Sequence, residues 1–188
     1  LLASSAASDV YKEGYDDQAE KLLNGHKPSG NLRGGKYSAF EGGTRVPVIV
    51  RWPKIIRQPE VSDALISQID WAASLASLVG ARLPKGSVPD SQNRMNTLLG
   101  KDKTDRPWVI EQASNHALSV RTKNWKYIEP SSGVPFMYWG PKIETGYLET
   151  PQLYNMEQAG EKENLATQHP EKVFELEQIL REVRKENR

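Results

Sequence analysis

The 188-residue chain contains no cysteine, which excludes disulfide bonds, thiolate metal sites and cysteine nucleophiles within it. No apolar run approaches the roughly 18 residues that would predict a transmembrane helix. The 25 Lys and Arg residues nearly balance the 24 Asp and Glu residues, and the net charge is only +1. Binding to nucleic-acid phosphates needs a basic excess on one face. We therefore expect neither a nucleic-acid nor a membrane partner.

The composition is that of a folded protein, because hydrophobic residues make up 37% and charged residues 26% of the chain. The chain starts at Leu1 rather than at a methionine, and its first residues lack the basic and long apolar segments of a signal peptide. We expect it to be part of a longer protein.

Apolar periodicity predicts an α/β element followed by a small α+β tail. A strand is predicted over 45–52, and a long helix over 61–80, capped by Ser62 or Asp63 and ended by Gly80. Further strands are predicted over 108–111, 117–121, 125–129 and 152–156, with a hairpin turn at 122–124. Residues 130–151 are expected to be irregular, and Pro170 is expected to start a final helix.

Residues 25–45 form a loop rich in glycine and cations, with six glycines among them. Its Gly30–Lys36 stretch fits G-x-x-x-x-G-K, but Tyr37 stands where a phosphate loop needs Ser or Thr for magnesium. The glycines and the basic side chains still suggest an anion site, with a solvated glycine loop as the alternative. The candidate donors are His26, Lys27, Arg33 and Lys36.

Two further features have structural alternatives. Glu41 and Arg45 flank Gly42-Gly43 and are placed to pair across a turn, or to form an ordinary surface pair. The aromatic residues of the second half could stack on sugars, but core packing is the better interpretation. Those residues are Trp108, Trp125, Tyr127, Tyr138, Trp139 and Tyr147.

Residues 32–47, LRGGKYSAFEGGTRVP, resemble the second signature of the type I sulfatases of the alkaline-phosphatase superfamily, in particular the arylsulfatase A-like enzymes. The following VIVRWP at 48–53 continues the pattern, and residues 67–74 resemble a helix of that family. Residues 121–128, RTKNWKYI, are similar to its R-x-x-x-W-K-Y-I strand pair. Residues 153–156 and Glu163–Ala166 resemble its L-Y-D-L and E-x-x-N-L-A segments.

The resemblance implies a C-terminal part of an alkaline-phosphatase-like sandwich, a mixed sheet flanked by helices. A small antiparallel sheet with a closing helix follows. It also implies two domains: residues 1–105 as the end of the catalytic α/β domain, and residues 106–188 as a C-terminal subdomain. The parent would be a periplasmic or secreted sulfuric ester hydrolase, acting on a sulfated carbohydrate or aryl sulfate with calcium and a formylglycine nucleophile.

The same resemblance assigns site roles within this chain. Lys36 corresponds to the lysine that contacts the sulfate and is the predicted catalytic residue. His26 and Arg33 are predicted to help bind substrate, and Glu41 and Arg45 to support the site.

The chain also departs from the family pattern. The family's nucleophile motif lies upstream, and Ser87-Val88-Pro89 has its S-x-P spacing without the following arginine. The family's calcium-binding D-N-G step falls near Ala6-Ala7-Ser8, and alanine has no oxygen ligand to offer. We therefore expect no metal ligands in this chain, and no activity without the missing N-terminal half. The alternative is a non-catalytic or degenerate sulfatase-like module.

Overall fold

The computed structural model describes residues 2–5, 29–138, 142–157 and 160–186. His26, Trp139 and the Ala6-Ala7-Ser8 step lie outside these residues. The described chain forms two compact units. One contains residues 2–4 with 48–109, and the other contains residues 29–47 with 110–186. The expected division of the parent protein between residues 105 and 106 stays a prediction.

The elements follow in chain order. They are β1 (Leu2–Ser5), α1 (Glu41–Thr44), β2 (Val48–Arg51), α2 (Asp70–Leu78), α3 (Met95–Leu98), β3 (Val109–Gln112), β4 (Leu118–Arg121), β5 (Trp125–Ile128), β6 (Gln152–Asn155) and α4 (Pro170–Glu186). A 3-10 turn, Gly160–Lys162, lies between β6 and α4. Strands β1 and β2 pair in a two-stranded sheet, and β3-β4-β5-β6 form a four-stranded sheet in that order. No helix in the described part of the chain is long and apolar enough to span a membrane.

The predicted helix over 61–80 is wrong in its first half, because α2 begins only at Asp70. The backbone of Leu65 is bonded elsewhere: its N–H donates to Asp105 Oδ1 at 2.7 Å, and its carbonyl accepts from the Arg106 N–H at 2.8 Å. These distant bonds replace the bonds that a helix would make. Ser62 therefore caps no helix and instead accepts a hydrogen bond from the Ala64 N–H. Gly80 follows the end of α2 with a φ of 68°, as predicted.

The four-stranded sheet confirms the predicted strands of the second half to within two residues. The 122–124 hairpin is present, since Val120 pairs with Tyr127 and the Thr122 N–H donates to the Trp125 carbonyl. Helix α4 begins at Pro170, as predicted, and has its own buried stripe. Among the described residues of this unit, the most buried large apolar side chains are Phe40, Val120, Tyr127, Ile128, Leu153, Tyr154, Leu176 and Leu180. Each large apolar side chain contributes about 1.5–3 kcal/mol on burial.

The segment before the sheet departs from the predicted loop in one place. Residues Glu41–Thr44 form the single-turn helix α1, inside the stretch expected to be irregular. Its Arg45 N–H donates to the Glu41 carbonyl at 2.8 Å. The segment between β5 and β6 is irregular as predicted, with one isolated bridge between Phe136 and Glu144 among its described residues.

Candidate anion site at Lys36

Lys36 lies on a short loop of residues 34–40, here called the Lys36 loop, between Arg33 and α1. Its side chain is half-buried, and Nζ lies 4.6 Å from the centroid of the Tyr37 ring. Tyr37 has a φ of 77°, in the left-handed region that costs a non-glycine residue roughly 1–2 kcal/mol. Its carbonyl accepts hydrogen bonds from Tyr147 Oη at 2.9 Å and from the Ser114 N–H at 3.4 Å. Neighbouring groups therefore hold the backbone next to Lys36 in a strained conformation.

Two glycines let the chain close this loop. The Gly42 N–H donates to the Arg33 carbonyl at 2.8 Å. A Cβ atom at Gly42 would lie 2.6 Å from that oxygen and 2.7 Å from the Gly34 carbonyl oxygen. At Gly43 it would lie 2.3 Å from the Ser38 carbonyl oxygen. The glycine pair is required because one backbone segment packs directly on another.

Arg33 precedes the loop and points its guanidinium at protein groups. It makes a two-point ion pair with Glu144, in which Nε donates to Oε2 at 2.7 Å and Nη2 to Oε1. Nη1 donates to the Glu161 carbonyl at 2.5 Å, and Cζ lies 3.9 Å from the centroid of the Phe40 ring. The hydrogen bonds from Arg33 lower the pKa of the Glu144 carboxyl. Arg33 thus fixes the start of the Lys36 loop, and its role in substrate binding stays a prediction.

Glu41 follows the loop and is buried, with 3% of its surface exposed. Arg45 Nη1 lies 3.9 Å from its Oε2 atom, so the predicted pair across Gly42-Gly43 is present. The Arg45 side chain is 61% exposed, which makes this contact a weak one. The nearer partners are Arg121 Nε and Lys126 Nζ, each 3.3 Å from Oε1.

Lys126 is the centre of a buried charge cluster that also contains Glu41, Glu111, Glu161 and Arg121. Its side chain has no exposed surface, and Nζ lies 3.0 Å from Glu111 Oε2 and 3.3 Å from both Glu41 Oε1 and Glu161 Oε1. Burial alone would lower the pKa of the Lys126 ammonium, but the three carboxylates outweigh it and raise the pKa. The lysine is therefore charged, and it neutralises carboxylates contributed by α1, β3 and the 3-10 turn.

Glu161 connects this cluster to the Lys36 loop. Its Oε2 atom accepts a hydrogen bond from the Glu41 N–H at 2.8 Å. Its Oε1 atom faces Lys126 at 3.3 Å as an ion pair, without the alignment of a hydrogen bond. Burial raises the pKa of the Glu161 carboxyl to about 7, against the opposing effect of Lys126. A carboxyl with such a pKa exchanges its proton near neutral pH.

Neither Lys126 nor Glu161 is predicted as a site residue from the sequence. Lys126 stands between Trp125 and Tyr127 in a predicted strand, and a lysine there is expected to face solvent. In the family's E-x-x-N-L-A segment, the glutamate stands three residues before the asparagine. Counted back from Asn164, this position is Glu161, not the Glu163 at which the resemblance was placed. That spacing was a usable signal for Glu161, and no local pattern marks Lys126 as buried.

The remaining residues of chemical interest are exposed turn residues and aromatic side chains. Of the aromatic residues predicted as possible stacking surfaces, Tyr138 is 83% exposed. His116 is exposed in a turn, with a φ of 69°, and Ser87 is exposed with its hydroxyl donating to the Pro84 carbonyl. Tyr147 is only 8% exposed and Tyr127 only 2%, so both are packing residues rather than open stacking surfaces. Trp125 packs edge-on against His169, with ring centroids 5.4 Å apart.

The described residues do not fit a calcium site. They contain no group of three or more His, Cys, Asp or Glu side chains that could hold a metal ion. The three carboxylates of the buried charge cluster surround the Lys126 ammonium instead.

Comparison with known proteins decides the family. A family model described as Sulfatase matches residues 15–81, a range that includes the whole Lys36 loop. The chain is 49% identical over 185 residues to the N-acetylgalactosamine-6-O-sulfatase of Bacteroides thetaiotaomicron. The alignment covers 98% of this chain and 36% of that protein. The chain belongs to the sulfatase family.

Solved structures agree with this assignment. A Bacteroides thetaiotaomicron structure from work on its metabolism of multiple glycosaminoglycans has a TM-score of 0.89 and 48% identity. The match covers 98% of this chain and 38% of that chain. A sulfatase from a Pseudoalteromonas species, at 21% identity and a TM-score of 0.64, shares the fold over 84% of this chain and 32% of its own.

This sulfatase chain therefore has part of the alkaline-phosphatase-like α/β fold, with a small antiparallel sheet and a C-terminal helix. It spans about a third of the length of its Bacteroides relative, and this share agrees with the predicted C-terminal part.

Proposed function

We propose that the protein carrying this chain hydrolyses sulfate esters of carbohydrates, and that the Lys36 ammonium contacts the sulfate group. The relative with 49% identity is named an N-acetylgalactosamine-6-O-sulfatase. A 6-O-sulfated N-acetylgalactosamine is therefore the first substrate to test. Lys36 lies in the segment that matches the Sulfatase family model.

The observation that supports this role is the fixed backbone around Lys36. Tyr37 holds a left-handed conformation beside it, and Gly42 closes the loop onto the Arg33 carbonyl. A cation held in advance stabilises developing charge without reorganisation, whereas a freely moving lysine does not. At about 4 Å from a sulfate oxygen, such a lysine gains about 4 kcal/mol at an effective dielectric constant of about 20. It would neutralise charge on the oxygens as the S–O ester bond breaks.

The remaining catalytic parts lie outside this chain in the proposal. The formylglycine nucleophile and the calcium ligands would come from the missing N-terminal half, so the chain alone has no turnover. A periplasmic or secreted parent would meet sulfated carbohydrates outside the cytoplasm. Arg33 and His26 would assist substrate binding, and Glu41 and Arg45 would support the loop.

A chimera tests the proposed activity. This chain would replace the matching third of the Bacteroides thetaiotaomicron N-acetylgalactosamine-6-O-sulfatase, and release of sulfate from 6-O-sulfated N-acetylgalactosamine would be measured. We expect turnover in the chimera, and a loss of about 10²–10³-fold in kcat on Lys36→Ala, the range for removal of one oxyanion donor. The matched control is Lys85→Ala, an exposed lysine in the other unit. An active chimera that tolerates Lys36→Ala would contradict the proposed role, and a folded chimera without activity would favour a non-catalytic module.

Sulfate binding by the chain itself gives a second test. We expect inorganic sulfate to raise the melting temperature of the 188-residue chain, because a ligand that binds only the folded state stabilises it. Lys36→Ala should remove this effect, and Lys85→Ala should retain it. Equal stabilisation of all three proteins would show that sulfate does not bind at Lys36.

A further inference from the structure

Glu161 is bonded to both ends of the Lys36 loop. Its backbone carbonyl accepts a hydrogen bond from Arg33 Nη1 at 2.5 Å, immediately before the loop. Its Oε2 atom accepts a hydrogen bond from the Glu41 backbone N–H at 2.8 Å, immediately after the loop. One residue, 120 positions beyond Glu41, thus contacts the two residues that frame Lys36.

Glu161 is itself fixed to the four-stranded sheet. It lies in the 3-10 turn Gly160–Lys162 with 5% of its surface exposed, and Oε1 lies 3.3 Å from Lys126 Nζ on β5. Lys126 is in turn paired with Glu111 on β3 at 3.0 Å. The contacts therefore run from the sheet through Glu161 to the Lys36 loop.

We propose that Glu161 is a positioning residue for Lys36, which holds the Lys36 loop in the conformation that binds the sulfate group. The proposal rests on the proposed function, because it takes Lys36 as the sulfate contact. Without the Glu161 carboxyl, the loop would keep its closing bond from Gly42 to Arg33 and the bond from Arg33 to the residue 161 carbonyl. The Glu41 N–H at the end of the loop, however, would lose its acceptor.

The groups that face Glu161 indicate whether it acts through its negative charge or as a hydrogen-bond acceptor. It faces Lys126 from β5, Glu41 from α1, Arg33 from the start of the loop and Tyr154 from β6. Within the rest of the cluster, the buried Lys126 and the partly exposed Arg121 balance the charges of the carboxylates Glu41 and Glu111. Charge balance therefore does not require a negative Glu161, and its role is that of a hydrogen-bond acceptor. A glutamine keeps that acceptor, whereas an aspartate keeps the charge but is one methylene shorter.

Hydrogen exchange on the 188-residue chain tests the attachment. In Glu161→Ala and Glu161→Asp, we expect the amides of residues 40–43 to exchange at least about tenfold faster, because local openings follow local stability. The amides of β4 and β5 should keep their protection. At pH 5, Glu161→Gln should keep the wild-type protection, and so should the control Glu163→Gln, which alters an exposed carboxylate two residues away.

Sulfate titration of the same variants tests the consequence. We expect sulfate affinity to fall at least about tenfold, or about 1.4 kcal/mol, in Glu161→Ala and Glu161→Asp, and to be retained in Glu161→Gln. Unchanged loop exchange, or a loosened loop with unchanged affinity, would overturn the proposal. Loss of protection throughout β4 and β5 in Glu161→Asp would also overturn it, since Glu161 would then stabilise the sheet as a whole. A different result would contradict the proposed function: sulfate affinity that is unchanged in Lys36→Ala.

Discussion

Lys126 Nζ lies 3.0 Å from Glu111 Oε2, and the lysine side chain has no exposed surface. Its ammonium lies within 3.3 Å of three carboxylates, from α1, β3 and the 3-10 turn. An isolated buried carboxylate is costly, because water no longer solvates it and no partner replaces the water. The stability of the second unit therefore depends on this lysine.

Lys126→Met is expected to destabilise the chain by about 3–5 kcal/mol at pH 8, the range for removing one partner of a buried ion pair. The loss should be smaller at pH 5, where the orphaned carboxyls can take up protons. Urea unfolding followed by circular dichroism measures the free energy of unfolding. Lys123→Met, an exposed lysine three residues earlier, is the control. A loss below about 1 kcal/mol at pH 8 would show that the cluster is not a net source of stability.

Glu161 should make stability depend on pH near neutrality. Its pKa is raised from the ordinary 4.5 to about 7 in the folded chain, so the folded state binds the proton more tightly than the unfolded state. The resulting stabilisation is fully present below about pH 4.5 and is lost as the pH rises through about 7, with a total of about 3 kcal/mol. Glu161→Gln carries no titrating proton and should lack this loss. From pH 5 to pH 8, the wild type should therefore lose stability relative to Glu161→Gln.

Urea unfolding at several pH values between 5 and 8 checks this expectation. The control Glu163→Gln should follow the wild-type profile. Parallel profiles for the wild type and Glu161→Gln would be incompatible with a proton on Glu161 near pH 7.

Gly42→Ala should open the Lys36 loop. The new Cβ atom would lie 2.6 Å from the Arg33 carbonyl oxygen, and the backbone must move to relieve the overlap. We expect the Gly42 amide to lose its protection from exchange and sulfate binding to weaken by about tenfold or more. Gly86→Ala is the comparison, since Gly86 has a φ of 76° but no atom within 4 Å of an added Cβ. Wild-type sulfate affinity in Gly42→Ala would show that the closed loop is not needed for binding.

Asp70→Asn should destabilise the first unit. Asp70 Oδ1 forms a buried ion pair with Arg106 Nη1 at 2.5 Å and accepts the Gln92 N–H at 2.9 Å. An asparagine leaves the Arg106 guanidinium buried without a counter-charge, so we expect a loss of about 3–5 kcal/mol. Thermal unfolding compares the variant with Asp63→Asn, which changes an exposed carboxylate before the same helix. Equal melting temperatures for the two variants would contradict a structural role for this pair.

Local sequence patterns determined the regular elements of the second half. The strands around the 122–124 hairpin and the helix from Pro170 follow from side-chain alternation, turn residues and capping, which act over a few residues. The LRGGKYSAFEGGTRVP block likewise pointed to Lys36 and to the family, because that signal is contiguous in the chain.

Only the tertiary structure decided how far α2 extends and which charges are buried together. The apolar stripe from Val61 favours a helix, but the hydrogen bonds that Leu65 donates to Asp105 and accepts from Arg106 hold it in another conformation. Lys126 and Glu161 are separated from Glu41 by 85 and 120 residues, so no local rule could place the three side chains together. The sequence by itself thus determined the loop that carries Lys36 and its family. The packing of distant segments decided what holds that loop, because burial and ion pairing depend on neighbours that the linear order does not reveal.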